Sequence, residues 1–126
     1  MKNEIKLEHF FEQNLLFVKI KNSIKSFEQL TVGWDGYSAP AIPRKVISNT
    51  LMILESVRNI TLLPEVFPTP RESIQLEYDK GEKSLEIEVF SNYFELAVFR
   101  DMNLEIDKSF NFDEIGKIDQ FIVKFI

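Results

Sequence analysis

Carboxylates at alternate positions are the residues of this chain best suited to chemistry. Gln75, Glu77 and Asp79 alternate with Ile74, Leu76 and Tyr78, and Glu86 and Glu88 alternate with Leu85, Ile87 and Val89. In extended backbone such alternation places the apolar set on one face and the polar set on the other. Paired strands would therefore gather Gln75, Glu77, Asp79, Glu86, Glu88 and Glu95 on a common face. Like charges opposite one another cost a sheet roughly some tenths of a kcal/mol per pair, so the cluster needs full solvation or a positive partner. Three readings follow: a solvated outer face, a docking surface for a basic protein, or a carboxylate site for Mg²⁺ or Mn²⁺, hard cations that take oxygen ligands. The last would make the chain a metal-dependent hydrolase working through Glu77, Glu86 and Glu88. A nuclease site of that kind would place a lysine with the acids on adjoining strands. Lys80 and Lys83 instead fall in or beside a turn, and neither strand contains a Glu-x-Lys step. Alternation produces carboxylate pairs everywhere, so pairing alone does not indicate the acid and base of a glycosidase.

Other reaction classes lack their residues. His9, between Glu8 and Phe10, is the sole histidine, and no serine-rich elbow accompanies it for a Ser-His-Asp arrangement. With no cysteine there is no disulfide framework, thiolate nucleophile or cysteine-based metal site. The four glycines match neither a phosphate-binding loop nor a dinucleotide fingerprint, and Gly116-Lys117 reads as a helix-interior pair. No catalytic residue and no cofactor is expected from these patterns. Fifteen basic residues against twenty acidic ones leave a net charge of −5, and no run of Lys or Arg reaches three. A basic stripe for nucleic-acid backbone is therefore missing, and the acidic excess favours a basic protein partner.

Residues 33–43, Gly-Trp-Asp-Gly-Tyr-Ser-Ala-Pro-Ala-Ile-Pro, hold the only tryptophan and two of the five prolines. Asp35-Gly36 is a turn dipeptide: glycine accepts positive φ and aspartate bonds nearby backbone amides. Trp34 and Tyr37 flank it. They either fold inward as a plug between helix and sheet or stand out as an aromatic anchor for a partner.

The elements that must position these groups follow from periodicity. Leu7, Phe10, Phe11, Leu15 and Val18, then Phe17, Ile20, Ile24 and Phe27, recur at helical spacing, predicting one helix over residues 5–30 or two broken near Asn22. The run Leu15 to Ile20 also fits a short strand. Pro43 suits the first turn of a second helix carrying Val46, Ile47, Thr50, Leu51, Leu54 and Val57. Pro64, Pro68 and Pro70 make residues 63–73 a stiff irregular connector. Strands follow at 74–79, 85–89 and 94–98, with a fourth around Leu104 and Ile106. Short connections make them antiparallel neighbours. Asp113 would cap a closing helix bearing Ile115, Ile118, Ile122 and Phe125. The fold class is α+β: a three- to four-stranded antiparallel meander packed against N-terminal, central and C-terminal helices, in one domain over residues 1–126. Phe10, Phe11, Phe17, Phe27, Phe121 and Phe125 are many aromatics for one small core, and either all are buried or some form an exposed contact patch. The apolar Ile126 favours docking of the last helix.

Residues 30–99 resemble a family of small bacterial proteins. Its pattern is a Trp-Asp-Gly-Tyr loop, a helix, a Pro-x-Pro connector and two strands of the Ile-x-Leu-Glu and Leu-Glu-Ile-Glu type. Trp34-Asp35-Gly36-Tyr37, Pro68-Thr69-Pro70, Ile74-Gln75-Leu76-Glu77-Tyr78 and Leu85-Glu86-Ile87-Glu88 carry the likeness. Arg71-Glu72-Ser73 lacks the glycine that the pattern places before the first of these strands. The resemblance implies the fold and a bacterial setting and assigns no activity.

No signal peptide or membrane span is readable, and a cytoplasmic location is expected by elimination. The sequence thus points to a non-enzymatic protein-binding module of a bacterial cytoplasm, the neutralising or regulatory partner of a neighbouring gene product. Trp34 and Tyr37 would anchor the partner and Glu77, Glu86 and Glu88 would meet its basic surface. The alternatives are the metal-dependent hydrolase and a self-assembling subunit joined through helix aromatics or an unpaired strand edge.

Overall fold

The computed structural model describes residues 2–58 and 62–125; Ile126, and the side chains of residues 2–6 and Lys124, lie outside the described set. A 25-residue helix α1 (Lys2–Ser26) runs into a 3₁₀ turn (Phe27–Gln29), and α2 (Arg44–Ser56) follows the tryptophan loop. Five strands come next: β1 (Glu65–Thr69), β2 (Ser73–Lys80), β3 (Lys83–Val89), β4 (Phe94–Arg100) and β5 (Asn103–Phe110). A second 3₁₀ turn (Phe112–Lys117) leads into α3 (Ile118–Phe125). The sheet is a pure antiparallel meander in the order β1-β2-β3-β4-β5. The α+β architecture is the expected one, with α1 unbroken at Asn22 and one strand more than the pattern indicates.

The extra strand is β1, inside the proline-rich connector. Proline fixes an extended-compatible φ and removes one donor, and an edge strand leaves alternate donors outside the ladder. Pro68 therefore sits opposite Ile74 at the sheet edge without breaking the pairing. Glu72, in the turn after Thr69, holds φ at 59°, the conformation for which a glycine would be the easier residue.

Apolar alternation is realised in β2, β3 and β4, whereas in β5 a register shift beside Val98 and Phe99 puts Leu104 opposite the outward Phe99 and leaves it exposed. Ile74, Leu76, Tyr78, Leu85, Ile87, Val89, Phe94, Leu96 and Val98 are buried on one sheet face. Val46, Ile47, Ile53 and Leu54 of α2, Phe17 and Ile24 of α1, and Ile118, Ile122 and Phe125 of α3 cover that face. Pro43 stands just before the first turn of α2, as its missing N–H allows. Asn49 donates to the carbonyls of Phe90 and Ser91 at 3.2 and 3.0 Å, tying α2 to the β3–β4 loop. Asn111, not Asp113, precedes the closing helical segment, and its N–H donates to Glu114 Oε1 at 3.2 Å. Lys117 Nζ donates to the other Glu114 oxygen at 3.0 Å, and these bonds hold the Glu114 carboxyl below its ordinary value. Among the described residues, no helix is long and apolar enough to cross a membrane.

Candidate functional site

The helices occupy one face of the sheet, so the other face is where alternation delivers the polar side chains. Register decides which of them meet. The two-residue loop Gly81-Glu82, with Gly81 at φ 62°, has glycine at the first central position that a tight hairpin turn requires. It places Glu77 directly opposite Glu86. On the other flank Glu77 faces Glu65 of β1, so Glu65, Glu77 and Glu86 form a row across three strands. Asp79 adds a fourth carboxylate one alternation further on, and Glu88 faces Glu95.

The two acidic groups are not equivalent. Glu88 is neutralised: its Oε2 accepts from Arg71 Nε at 2.8 Å and from Ser73 Oγ at 2.6 Å. Thr69 Oγ1 bonds Ser73 Oγ and accepts the Arg71 backbone N–H at 3.1 Å, closing a network over the buried Thr69 and Ser73 hydroxyls. The Glu86 carboxyl is pushed above its ordinary value, first by partial burial and then by Glu77, Asp79 and Glu88. Glu77 is pushed up by burial, then by Asp79 and Glu65. For both groups burial is the larger cause and the neighbouring carboxylates the smaller one.

Beside this row lies a shallow depression of about 360 Å³ lined by Asp79, Lys83, Ser84, Glu86, Phe99 and Met102, among others. Phe99 pairs with Ser84 and so faces outward, and Met102 is 95% exposed at the tip of the β4–β5 hairpin. Asp101 and Met102 both hold positive φ, at 50° and 66°, a turn geometry that favours Asn-Gly. The depression thus joins carboxylates to an aromatic face and a thioether, groups that suit a lysine or arginine side chain.

The tryptophan loop is elsewhere, on the helix layer. Asp35 Oδ1 accepts the N–H groups of Tyr37 and Ala39 at 2.9 and 3.2 Å, and Gly33 N–H donates to Ala39 at 2.8 Å. Gly33 and Gly36 supply the positive φ this path requires, at 82° and 85°. Trp34 is half-buried against the core and donates its indole N–H to the Pro40 carbonyl at 2.9 Å, whereas Tyr37 is 87% exposed. Glu77 and Glu86 therefore meet, Glu88 lies beside them with its charge already paired, and Trp34 and Tyr37 sit on the opposite layer.

Sequence reasoning missed Glu65, Arg71 and Met102. The alternation of Val66 with Glu65 and Phe67 was the available signal for β1, masked by Pro68. Of the terminal-helix aromatics, Phe17 and Phe125 are buried, Phe27 and Phe121 pack partly against the core, and Phe10 and Phe11 are exposed. Among the described residues no group of three or more His, Cys, Asp or Glu side chains is arranged to hold a metal ion. Comparison with protein-family models, with curated proteins and with solved structures returns no match.

Proposed function

We propose that the chain is a protein-binding module of a bacterial cytoplasm, without catalytic activity of its own. Its outer sheet face would take a basic partner, as a neutralising or regulatory protein takes its target. The observation that carries this reading is the Glu65–Glu77–Glu86 row with Asp79, carboxylates brought together by register on the face the helices leave uncovered, where Glu77 and Glu86 are pushed above their ordinary values first by burial and then by their acidic neighbours. A positive surface would relieve that repulsion on binding, so the charge costs stability in the free protein and contributes to the complex. Phe99 and Met102 beside the row give the face an apolar element for the stems of lysine or arginine. The bacterial setting rests on the resemblance of the Trp34–Tyr37 loop and the β2–β3 motifs.

The test is parallel capture from source cells at low salt with the wild-type chain and the Glu77→Lys/Glu86→Lys variant. The expected result is a stoichiometric basic protein on the wild type only, released at high salt. Equal capture by both chains, or salt-independent capture, would refute the acidic face as the binding surface.

A further inference from the structure

The N-terminal half of α1 leaves the body of the molecule with its apolar side chains uncovered. Arg58 marks the point of departure. Its guanidinium lies 4.4 Å from the Phe17 ring centroid and donates to Asn14 Oδ1 at 3.2 Å and Glu55 Oε1 at 3.1 Å. In this part of the helix Leu7, Phe10, Phe11, Leu15, Leu16 and Val18 are 39–64% exposed. At about 100° per residue, Leu7, Phe11, Leu15 and Val18 fall within a stripe roughly 80° wide and about 18 Å long. Phe17 and Ile24, which bind the helix to the core, lie on its other side. The stripe is therefore a second apolar face, and α1 needs a partner for it.

We propose that this partner is a second copy of the same chain, and that two α1 helices pair antiparallel through Leu7, Phe11, Leu15 and Val18. Area suits a weak dimer. The four stripe side chains, burying on the order of 100 Å² each on both copies, give about 800 Å², the scale of a transient contact, and the flank carrying Glu8 and Lys19 is complementary to itself when two copies meet antiparallel. Charge order sets the direction. Glu8 and Glu12 precede Lys19 and Lys25 along the exposed helix surface. A parallel pair would align like charges. An antiparallel pair that sets Leu7 against Val18 and Phe11 against Leu15 brings Glu8 of one copy beside Lys19 of the other, on the same flank of the stripe. The backbone dipoles then also oppose one another. The core-bound face of α1 points away from the stripe, which leaves both bodies outside the helix pair. This interface is on the helix layer and is independent of the acidic sheet face.

Sedimentation equilibrium of the full chain over a micromolar concentration series tests the pairing. The expected result is a monomer–dimer equilibrium with Kd in the micromolar range, weakened at least 100-fold by Phe11→Glu/Leu15→Glu with an unchanged circular dichroism spectrum. A monomer at all concentrations, or a dimer indifferent to that variant, overturns the proposal. Direction is read separately. Glu8→Lys should weaken association several-fold and Glu8→Lys/Lys19→Glu should restore it. Because the chain has no cysteine, a mixture of Phe11→Cys and Leu15→Cys proteins should oxidise mainly to the mixed disulfide. Predominant Phe11→Cys homodimers and failure of the charge swap would overturn the antiparallel register.

Discussion

Replacing Glu86 with glutamine should make the free protein more stable, although it removes a charged residue from a regular strand. Glu86 stands opposite Glu77, diagonal to Asp79 and in the same strand face as Glu88. Side chains directly opposite in an antiparallel pair have Cβ atoms about 5 Å apart. Two carboxylates about 6 Å apart repel by about 0.7 kcal/mol in bulk water and more where solvent is partly excluded; salt at physiological strength removes roughly half of it. A net gain of about 0.5 kcal/mol at pH 7 follows, or a rise in Tm of about 2 °C for a chain of this size. The pH dependence has a definite sign. Because the folded-state values of Glu77 and Glu86 are raised above the ordinary 4.5, their contribution is fully present below 4.5 and is lost as pH rises through the folded values. The wild type should therefore approach Glu86→Gln in stability as pH falls from 7 toward 4.5. Thermal unfolding followed by circular dichroism, at pH 4.5 to 8 and at low and high salt, reads both effects. A variant less stable than wild type at pH 7, or an advantage that grows on acidification, would refute the reasoning.

Two further outcomes follow from the local geometry. Met102→Gly should stabilise the protein by about 1 kcal/mol in urea unfolding, since Met102 holds φ at 66° with its side chain almost wholly in solvent. If Met102 also contributes to the binding face, the same variant should bind the partner more weakly, separating stability from function. Asn49→Ala should cost about 1–2 kcal/mol in the same assay, because two loop carbonyls lose their donor.

Much of the sheet was legible because its two faces differ so sharply. Ile74-Gln75-Leu76-Glu77-Tyr78 admits one orientation against a core, and Gly81 sets the hairpin register that pairs Glu77 with Glu86. β1 was hidden by the same prolines that keep it at the edge, and with it the third carboxylate of the row and the Arg71 that neutralises Glu88. The Trp34–Tyr37 loop could be recognised as a fixed turn, but the direction of each ring depends on what packs beneath it. Trp34 turned inward because the Pro40 carbonyl offers its indole a partner. The cap was misplaced by two residues because Asn111 and Asp113 both suit an N-terminus; reaching Glu114 three residues on favours Asn111. In α1, apolar residues occur on more than one side of the helix, so periodicity predicted the helix without saying which side the core would take.

The most direct measurement is the affinity of the captured basic protein for the wild-type chain and for Glu77→Lys/Glu86→Lys, side by side at low and high ionic strength. At about a factor of ten for each 1.4 kcal/mol, two reversed charges should weaken binding about 100-fold at low salt, with the gap narrowing as salt rises. Equal affinities at low salt would contradict the claim that the acidic sheet face is where this protein meets its partner.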